Sequence, residues 1–341
     1  MLFACEVKPI ELNVIGLDVK EIQPKDEKLF LDFLMQSDYN RVSYYNSFYY
    51  MCALNLNKGN QVFLYCIVND WLLTFEYNRK SEMYSIKNSP INRNGDYSDM
   101  QRIYRIYIGI LSKLNADNGC QNSLYNVLIP DIETYLVKKN LHGCVKNYKE
   151  FIFRCSDLIE LKGKEYKSRR HVVNKLKTDY PDVSVREYTS DDKESVRLIY
   201  NKWVEDYHVR LENEEVCNIG LVEHTFETLV DNSSHYRIFV ATIDSKIEGF
   251  IVIVPLCKDT KCVLIEYTNL EIKGLAEFLW YEGLRNTQDI GTFENDGTGG
   301  KETDGLFFYK QSHRPIDFVE TYECKLNKSK KMINKSIFKE Q

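Results

Sequence analysis

The stretch VSVREYTSDDKESVRLIYNKW, residues 183–203, decides the fold. Its first five residues alternate apolar and polar side chains, the period of two that a half-buried strand requires. Thr189 and Ser190 then offer hydroxyls for a helix N-cap. Asp191, Asp192 and Glu194 fall in the first turn, where exposed backbone N–H groups favour negative charge. Val196, Ile199, Trp203 and Tyr207 follow at spacings of three and four, one face of a helix.

Working downstream, a second helix is expected near Leu221–Val230. RIFVAT (237–242), a turn at 244–246 and EGFIVIV (248–254) make a hairpin. CVLIEY (262–267) reads as a strand, Leu275, Phe278 and Leu279 begin a helix, and DIGTF (289–293) reads as a further strand. LFFY (306–309) starts the closing elements, which end at Phe318–Cys324. The order β-α-α-β-β-β-α-β-α-β predicts a mixed α-β (α+β) fold, a mixed sheet with helices on both faces.

The upstream half echoes this order. IQPKDE (22–27) resembles EYTSDD (187–192), 165 residues later. Residues 62–75, turning at Asn69 and Asp70, match the second hairpin, and Ile103, Ile106, Tyr107, Ile110, Leu111 and Leu114 make a full helical face. FIF (151–153) closes the half. The expectation is a tandem duplication: an N-terminal domain over 1–155, a basic connecting segment over 156–182, a C-terminal domain with the active cleft over 183–325, and a basic tail over 326–341.

The formal net charge of −5 is unevenly spread. Residues 162–177 carry seven basic side chains and one acid; residues 325–341 carry six lysines and one acid. Together they hold +11, which leaves −16 on the rest. An acidic body with two basic segments suits a brief, salt-sensitive contact with one RNA end better than retention on bulk nucleic acid. The ten cysteines show no C-x-x-C, the six histidines form no metal spacing, and the chain starts MLFACEVKPIEL without a secretory pattern. Reduced, mostly buried thiols and a cytoplasmic location are expected, with no metal site. No apolar run approaches the roughly 18 residues that cross a bilayer, so no integral membrane segment is expected.

Three stretches carry a family resemblance. DLIELKGKEYKSRRHVVN (157–174) resembles a D-L-I-x-L-x-G-K…K-R-N-x-I-N pattern. Gly274 opens a helix after a strand. Glu294 and Asp296, then Gly305, Leu306, Lys310, Ser312 and Pro315, resemble E-x-D…G-L-R-x-x-K-x-S-Y-x-P. The chain is identified by these as similar to the phosphatidylglycerol lysyltransferase C-terminal-domain-like family, whose members have two tandem GNAT-like (acyl-CoA N-acyltransferase-like) domains. It departs at His171, where the family favours Asn, at Phe293, often Arg, and at Gly297 and Gly299, which are out of step.

The resemblance implies an acyltransferase whose donor substrate is an aminoacyl-tRNA or an acyl-CoA, with no other cofactor. Acyl-CoA enzymes of this fold cradle pyrophosphate on clustered glycines at the start of the helix after the fourth strand. Here that loop, residues 267–274, has one glycine, Gly274, and an acid, Glu271. That favours aminoacyl transfer from tRNA to a small amine or hydroxyl acceptor. An acyl-CoA-dependent N-acyltransferase and a non-catalytic binding protein are the alternatives. The expected catalytic residues are Glu294, Asp296, Lys310, Glu266 and Tyr267, at strand ends where ligands of such sheets bind. Asn269, Gly274, Lys164, Arg169, Arg170 and Asn174 are the expected substrate-binding residues. The competing reading is structural: a solvated acidic loop, a strand-edge lysine at 310, and a linker helix whose buried side is Tyr166, Val173 and Leu176.

Overall fold

A computed structural model describes residues 10–14, 16–56, 59–86, 88–118, 141–210, 236–298 and 305–326. The helix expected near Leu221–Val230 and the tail from residue 327 lie outside them. Two sheets organise the described residues.

The first sheet holds β1 (Glu11–Val14), β2 (Leu17–Glu21), β3 (Gln61–Val68), β4 (Trp71–Asn78), β5 (Met83–Ser85) and β6 (Ile91–Asn92). They run in the order β1-β2-β3-β4-β5, with β6 also on β4. The β3–β4 hairpin turns where expected, with Asn69 at φ 52. α1 (Glu27–Leu34) and α2 (Phe48–Leu56) lie on one side of this half, and α3 (Met100–Asp117) packs on the other with its full apolar face.

The second sheet runs β13-β7-β12-β11-β10-β9-β8. Its strands are β7 (Leu141–Arg154), β8 (Ser184–Glu187), β9 (Arg237–Ile243), β10 (Lys246–Cys257), β11 (Thr260–Thr268), β12 (Phe293–Thr298) and β13 (Asp317–Leu326). Among the described strands, only β11 and β12 pair in parallel. The β9–β10 turn has Asp244 and Ser245 at φ 49 and 63, the two left-handed residues of a two-residue hairpin loop. The helices are α4 (Cys155–Glu160), α5 (Lys167–Asp179), α6 (Lys193–Arg210), α7 (Leu275–Arg285) and α8 (Gly305–Gln311).

The two halves open on the same kind of capped turn. Gln23 N–H donates to the Asp26 carboxylate at 2.9 Å, and Thr189 N–H donates to Asp192 at 2.8 Å. Each starts a short 3-10 turn that leads into α1 or α6. Three expectations change. The strand placed at 289–293 begins instead at Phe293, because Thr287 to Ile290 close a turn and Gly291 lies against the Asp259 backbone, where a Cβ would stand 2.6 Å away. LFFY (306–309) is helical, which moves Lys310 from a strand edge to α8. Residues 141–154 pair between β12 and β13, so the second sheet takes in a strand from before residue 155.

The halves are bound by a shared core. Phe30, Phe48 and Tyr49 of α1 and α2 pack with Val196 and Tyr200 of α6 and with Phe250, Val252 and Leu264 of the second sheet. Each large side chain so buried contributes roughly 1.5–3 kcal/mol. The opposite face of the second sheet carries a separate core of Phe151, Phe153, Ile251, Ile253, Leu275 and Leu279. β10 lies between the two and is buried along both faces, which its unbroken apolar run permits.

Candidate functional site

β11 and β12 pair at Thr260–Phe293, Lys261–Glu294 and Cys262–Asn295, and the pairing ends there. Beyond it the strands part. Alternation along β12 sends Glu294 and Asp296 to the α7 side, and Phe293 and Asn295 to the other. Glu294 is fully buried, and its Oε2 accepts from the Trp280 indole N–H at 3.0 Å. Asp296 lies 3.1 Å from the Lys310 ammonium, which also donates to the Asp296 carbonyl. Both glycine-flanked carboxylates therefore belong to a strand, not a solvated loop.

Glu266 joins them through a β-bulge. The β10–β11 register slips between Ile253–Val263 and Val252–Ile265, leaving Leu264 as the extra residue. Leu264 and Ile265 both enter the core shared with the N-terminal half, while Val263 lies in the α7 core. The slip restores Glu266 to the α7 side, where Asp296, Glu277 and Lys310 act on it electrostatically. Tyr44 spans the parting: its hydroxyl donates to the Leu264 carbonyl at 3.0 Å, and its ring lies 3.3 Å from where a Cβ on Gly297 of β12 would stand. Glu150 of β7 accepts from the Ser43 hydroxyl, from Tyr44 N–H at 2.8 Å and from the Asn295 amide at 2.8 Å.

Burial governs the electrostatics. Glu294 is pushed well above the usual carboxylate range by desolvation and then by the Asp296 charge. Glu266 is raised well above it by desolvation, Asp296 and Glu277. Asp296 rises too, because desolvation outweighs the Lys310 ammonium beside it. His313 is fully buried, and desolvation lowers it to about 4, so the ring is neutral near pH 7, with Nδ1 2.8 Å from the Tyr309 carbonyl.

Five buried polar atoms around this cluster have no hydrogen-bond partner among the described residues: Glu266 Oε1, Glu294 Oε1, Tyr281 Oη, His313 Nε2 and Arg169 Nε. An unmet buried polar group costs about 1–3 kcal/mol. Their concentration in one place fits groups kept for a polar ligand. Among the described residues no group of His, Cys, Asp and Glu is arranged to hold a metal ion.

Arg169 connects the cluster to the basic helix. On α5 and the residues that lead into it, Tyr166, Val173 and Leu176 are buried as expected, and Lys164 and Asn174 are exposed. Arg169 reaches inward, 3.3 Å from the Glu277 carboxylate, 2.6 Å from the Ser312 hydroxyl and over the Tyr309 ring. Arg170 instead donates to the Leu161 and Gly163 carbonyls, holding the loop before α5.

Three expected site residues lie elsewhere. Tyr267 follows Glu266 on the strand and so faces the other way, against Trp203, Tyr200 and Phe250. Asn269 donates to Glu248 at 2.8 Å, in a separate cavity lined by Arg186, Lys202 and Lys246. Gly274, at φ 87, lets α5 approach α7; a Cβ there would lie 2.9 Å from Val172. Glu150, Glu277, Trp280, Lys261 and Tyr44 went unnoticed in the sequence. Of these, Glu277 alone left a signal: an acid at i−3 and i−4 from Trp280 and Tyr281 on a buried helical face.

No curated protein matches the sequence. A conserved protein of unknown function from Bacteroides thetaiotaomicron is similar in structure, with 22% identity, coverage of 91% of this chain and 99% of that one, and a TM-score of 0.71. The C-terminal domain of a protein described as a lysylphosphatidylglycerol synthetase from Agrobacterium fabrum is 12% identical, with 89% and 92% coverage and a TM-score of 0.60. A tandem GNAT protein from the clavulanic acid biosynthesis pathway is 8% identical, with 92% and 100% coverage and a TM-score of 0.47. The fold is the expected mixed α-β one, with two sheets and helices. No described helix is long and apolar enough to cross a membrane. The sequence match to the family described as phosphatidylglycerol lysyltransferase, C-terminal, runs over residues 124–294, from before β7 into β12. With half its length inside that match, the chain belongs to the phosphatidylglycerol lysyltransferase C-terminal family.

Proposed function

We propose that this GNAT-like acyltransferase moves an aminoacyl group from an aminoacyl-tRNA to a small acceptor bearing an amine or a hydroxyl. The observation that carries this reading is the buried cluster of Glu266, Glu294, Asp296 and Lys310, with its unpartnered polar atoms, reached by Arg169 from a basic helix. An activated ester needs a proton acceptor for the nucleophile, a donor for the oxyanion and a proton for the leaving 3′-oxygen.

In this reading the acceptor's nitrogen or oxygen attacks the ester carbonyl as Glu294, in its ionised form, takes its proton through Oε1; desolvation and the Asp296 charge raise its affinity for that proton. The Lys310 ammonium stabilises the oxyanion. Collapse breaks the bond to the ribose 3′-oxygen, which leaves with a proton from Glu266, held in its acid form by burial. Arg169, Lys175 of α5 and Lys164 of the loop before it meet the phosphates next to the ester.

The start of α7 speaks against acyl-CoA as donor. Gly274 is spent on the contact with Val172, and Glu271 stands exposed beside it, where pyrophosphate would need clear backbone N–H groups. The test pairs two measurements on the purified protein: binding of a mixed aminoacyl-tRNA pool between 50 and 200 mM salt, and calorimetry with CoA and acetyl-CoA. Salt-sensitive tRNA affinity with no CoA heat is expected. Tight CoA binding without tRNA affinity overturns the donor assignment.

A further inference from the structure

Lys261 is fully buried in the middle of β11, a rare place for an unpaired lysine. Its parallel-strand partner is Glu294, so the two side chains rise from neighbouring backbones on the same face. Yet among the described residues Lys261 makes no direct ion pair with a carboxylate. Its ammonium donates instead to the Thr287 carbonyl and, at 3.1 Å, to the Thr287 hydroxyl. Thr287 lies just past the end of α7 and is buried in turn, its hydroxyl donating to the Gly283 carbonyl at 2.8 Å. The ammonium thus rests at a helix C-terminus, where unpaired carbonyls and the helix dipole favour a cation.

The same helix holds Glu294 from its other side through Trp280, so α7 fixes both partners and keeps them apart. The remaining charged or titratable groups acting on Glu294 are Asp296 of its own strand, Lys310 of α8, the Cys155 thiol at the start of α4 and the Cys262 thiol of β11. Of these, Lys310 is already engaged by Asp296.

We propose that Lys261 is a positioning residue for Glu294: a cation anchored to the end of α7 that balances the carboxylate from beneath while leaving Oε1 clear for a ligand. A lysine in direct contact would occupy that oxygen. A hydrophobic residue at 261 would leave Glu294 with less opposing charge.

Trp280 is a built-in reporter, because its indole bonds the carboxylate that titrates. Its emission is followed from pH 5 to 10, with Trp280→Phe to subtract Trp71 and Trp203, and Glu294→Gln to identify the transition. Lys261→Met is expected to move the midpoint up by one pH unit or more, a tenfold gain in proton affinity, since a cation that favours the charged carboxylate is gone. Lys261→Arg brings it back toward the parent. Should Lys261→Met not fold, Thr287→Val keeps the lysine and removes one of its two tethers. The ammonium then moves toward Glu294 and the midpoint falls. A folded Lys261→Met variant with the parent's midpoint overturns the proposal, as does a Thr287→Val midpoint that stays put or rises. The titration reads Glu294 itself, so the outcome is independent of whether tRNA is the donor.

Discussion

The two sheets treat their buried polar groups in opposite ways. In the first half two of them, Asn115 and Asn55, are neutral amides stitched to backbone, while Asn88 Oδ1 and Arg79 Nε there stay unmet. Asn115 accepts from Tyr84 N–H at 2.8 Å and donates to the Tyr84 and Leu111 carbonyls. Asn55 joins the Ile22 and Phe63 carbonyls and accepts from Phe63 N–H. In the second half the matching depth holds carboxylates with unmet oxygens. The first arrangement lowers the energy of the fold; the second raises it and keeps atoms available. The two halves thus differ in what they hold at depth: amides bonded to backbone in the first, carboxylates with open oxygens in the second.

That contrast is broken most decisively by exchanging what each side does best. On the proposed function, Glu294→Gln should lower aminoacyl transfer by about 10²–10⁴-fold, the usual worth of a positioned proton acceptor, while thermal stability is unchanged or higher. A rate within threefold of the parent would remove Glu294 from the chemistry. Asn115→Ala should do the reverse: about 2–4 kcal/mol lost in urea unfolding, as backbone groups of Tyr84 lose their partners. Transfer per folded molecule should not change.

The pH dependence sharpens the same contrast. Glu266 has its folded pKa raised, so between the unfolded value near 4.5 and the folded one the native state binds the extra proton. Stability contributed by that proton is therefore present at low pH and lost as pH rises. Glu266→Gln should flatten the alkaline decline in the urea midpoint. Asp192, lowered to about 2 by its two bonds from Arg186, behaves oppositely. Its contribution is present above the unfolded value near 4 and fades as pH falls toward 2, so Asp192→Asn should soften only the acid limb. The smallest effect is expected for Tyr44→Phe: about 0.5–1.5 kcal/mol for one hydrogen bond to the Leu264 carbonyl, seen as a modest drop in melting temperature.

What the sequence showed and what it hid divide along the range of the interactions. Local signals held: the cap and helix after Val183, both hairpin turns, the buried side of α5, and the pair Glu294 and Asp296 two residues apart. LFFY (306–309) was ambiguous because four consecutive apolar residues suit a strand or a helix equally, and Phe308 stays exposed on α8. Glu266 and Tyr267 were expected together, yet adjacent strand residues face apart, and a bulge set by pairing with β10 chose between them. Glu150 and Tyr44 act on β11 and β12 from more than 100 residues away, through contacts that no local pattern encodes.

The placement of β7 has a consequence for how the protein is made. This strand leaves the ribosome about 140 residues before β12 and longer still before β13, the two partners that flank it. At roughly 5–20 residues per second, it waits on the order of 7–30 s with both edges unpaired. Phe151, Ile152 and Phe153 are the aggregation-prone centre of that waiting strand. Lys149, Glu150 and Arg154 bracket it with charge, the pattern that discourages edge-to-edge association. Glu150 thus has two employments in sequence: a charge guarding an apolar strand in the nascent chain, and a buried clamp on Ser43, Tyr44 and Asn295 once β12 arrives.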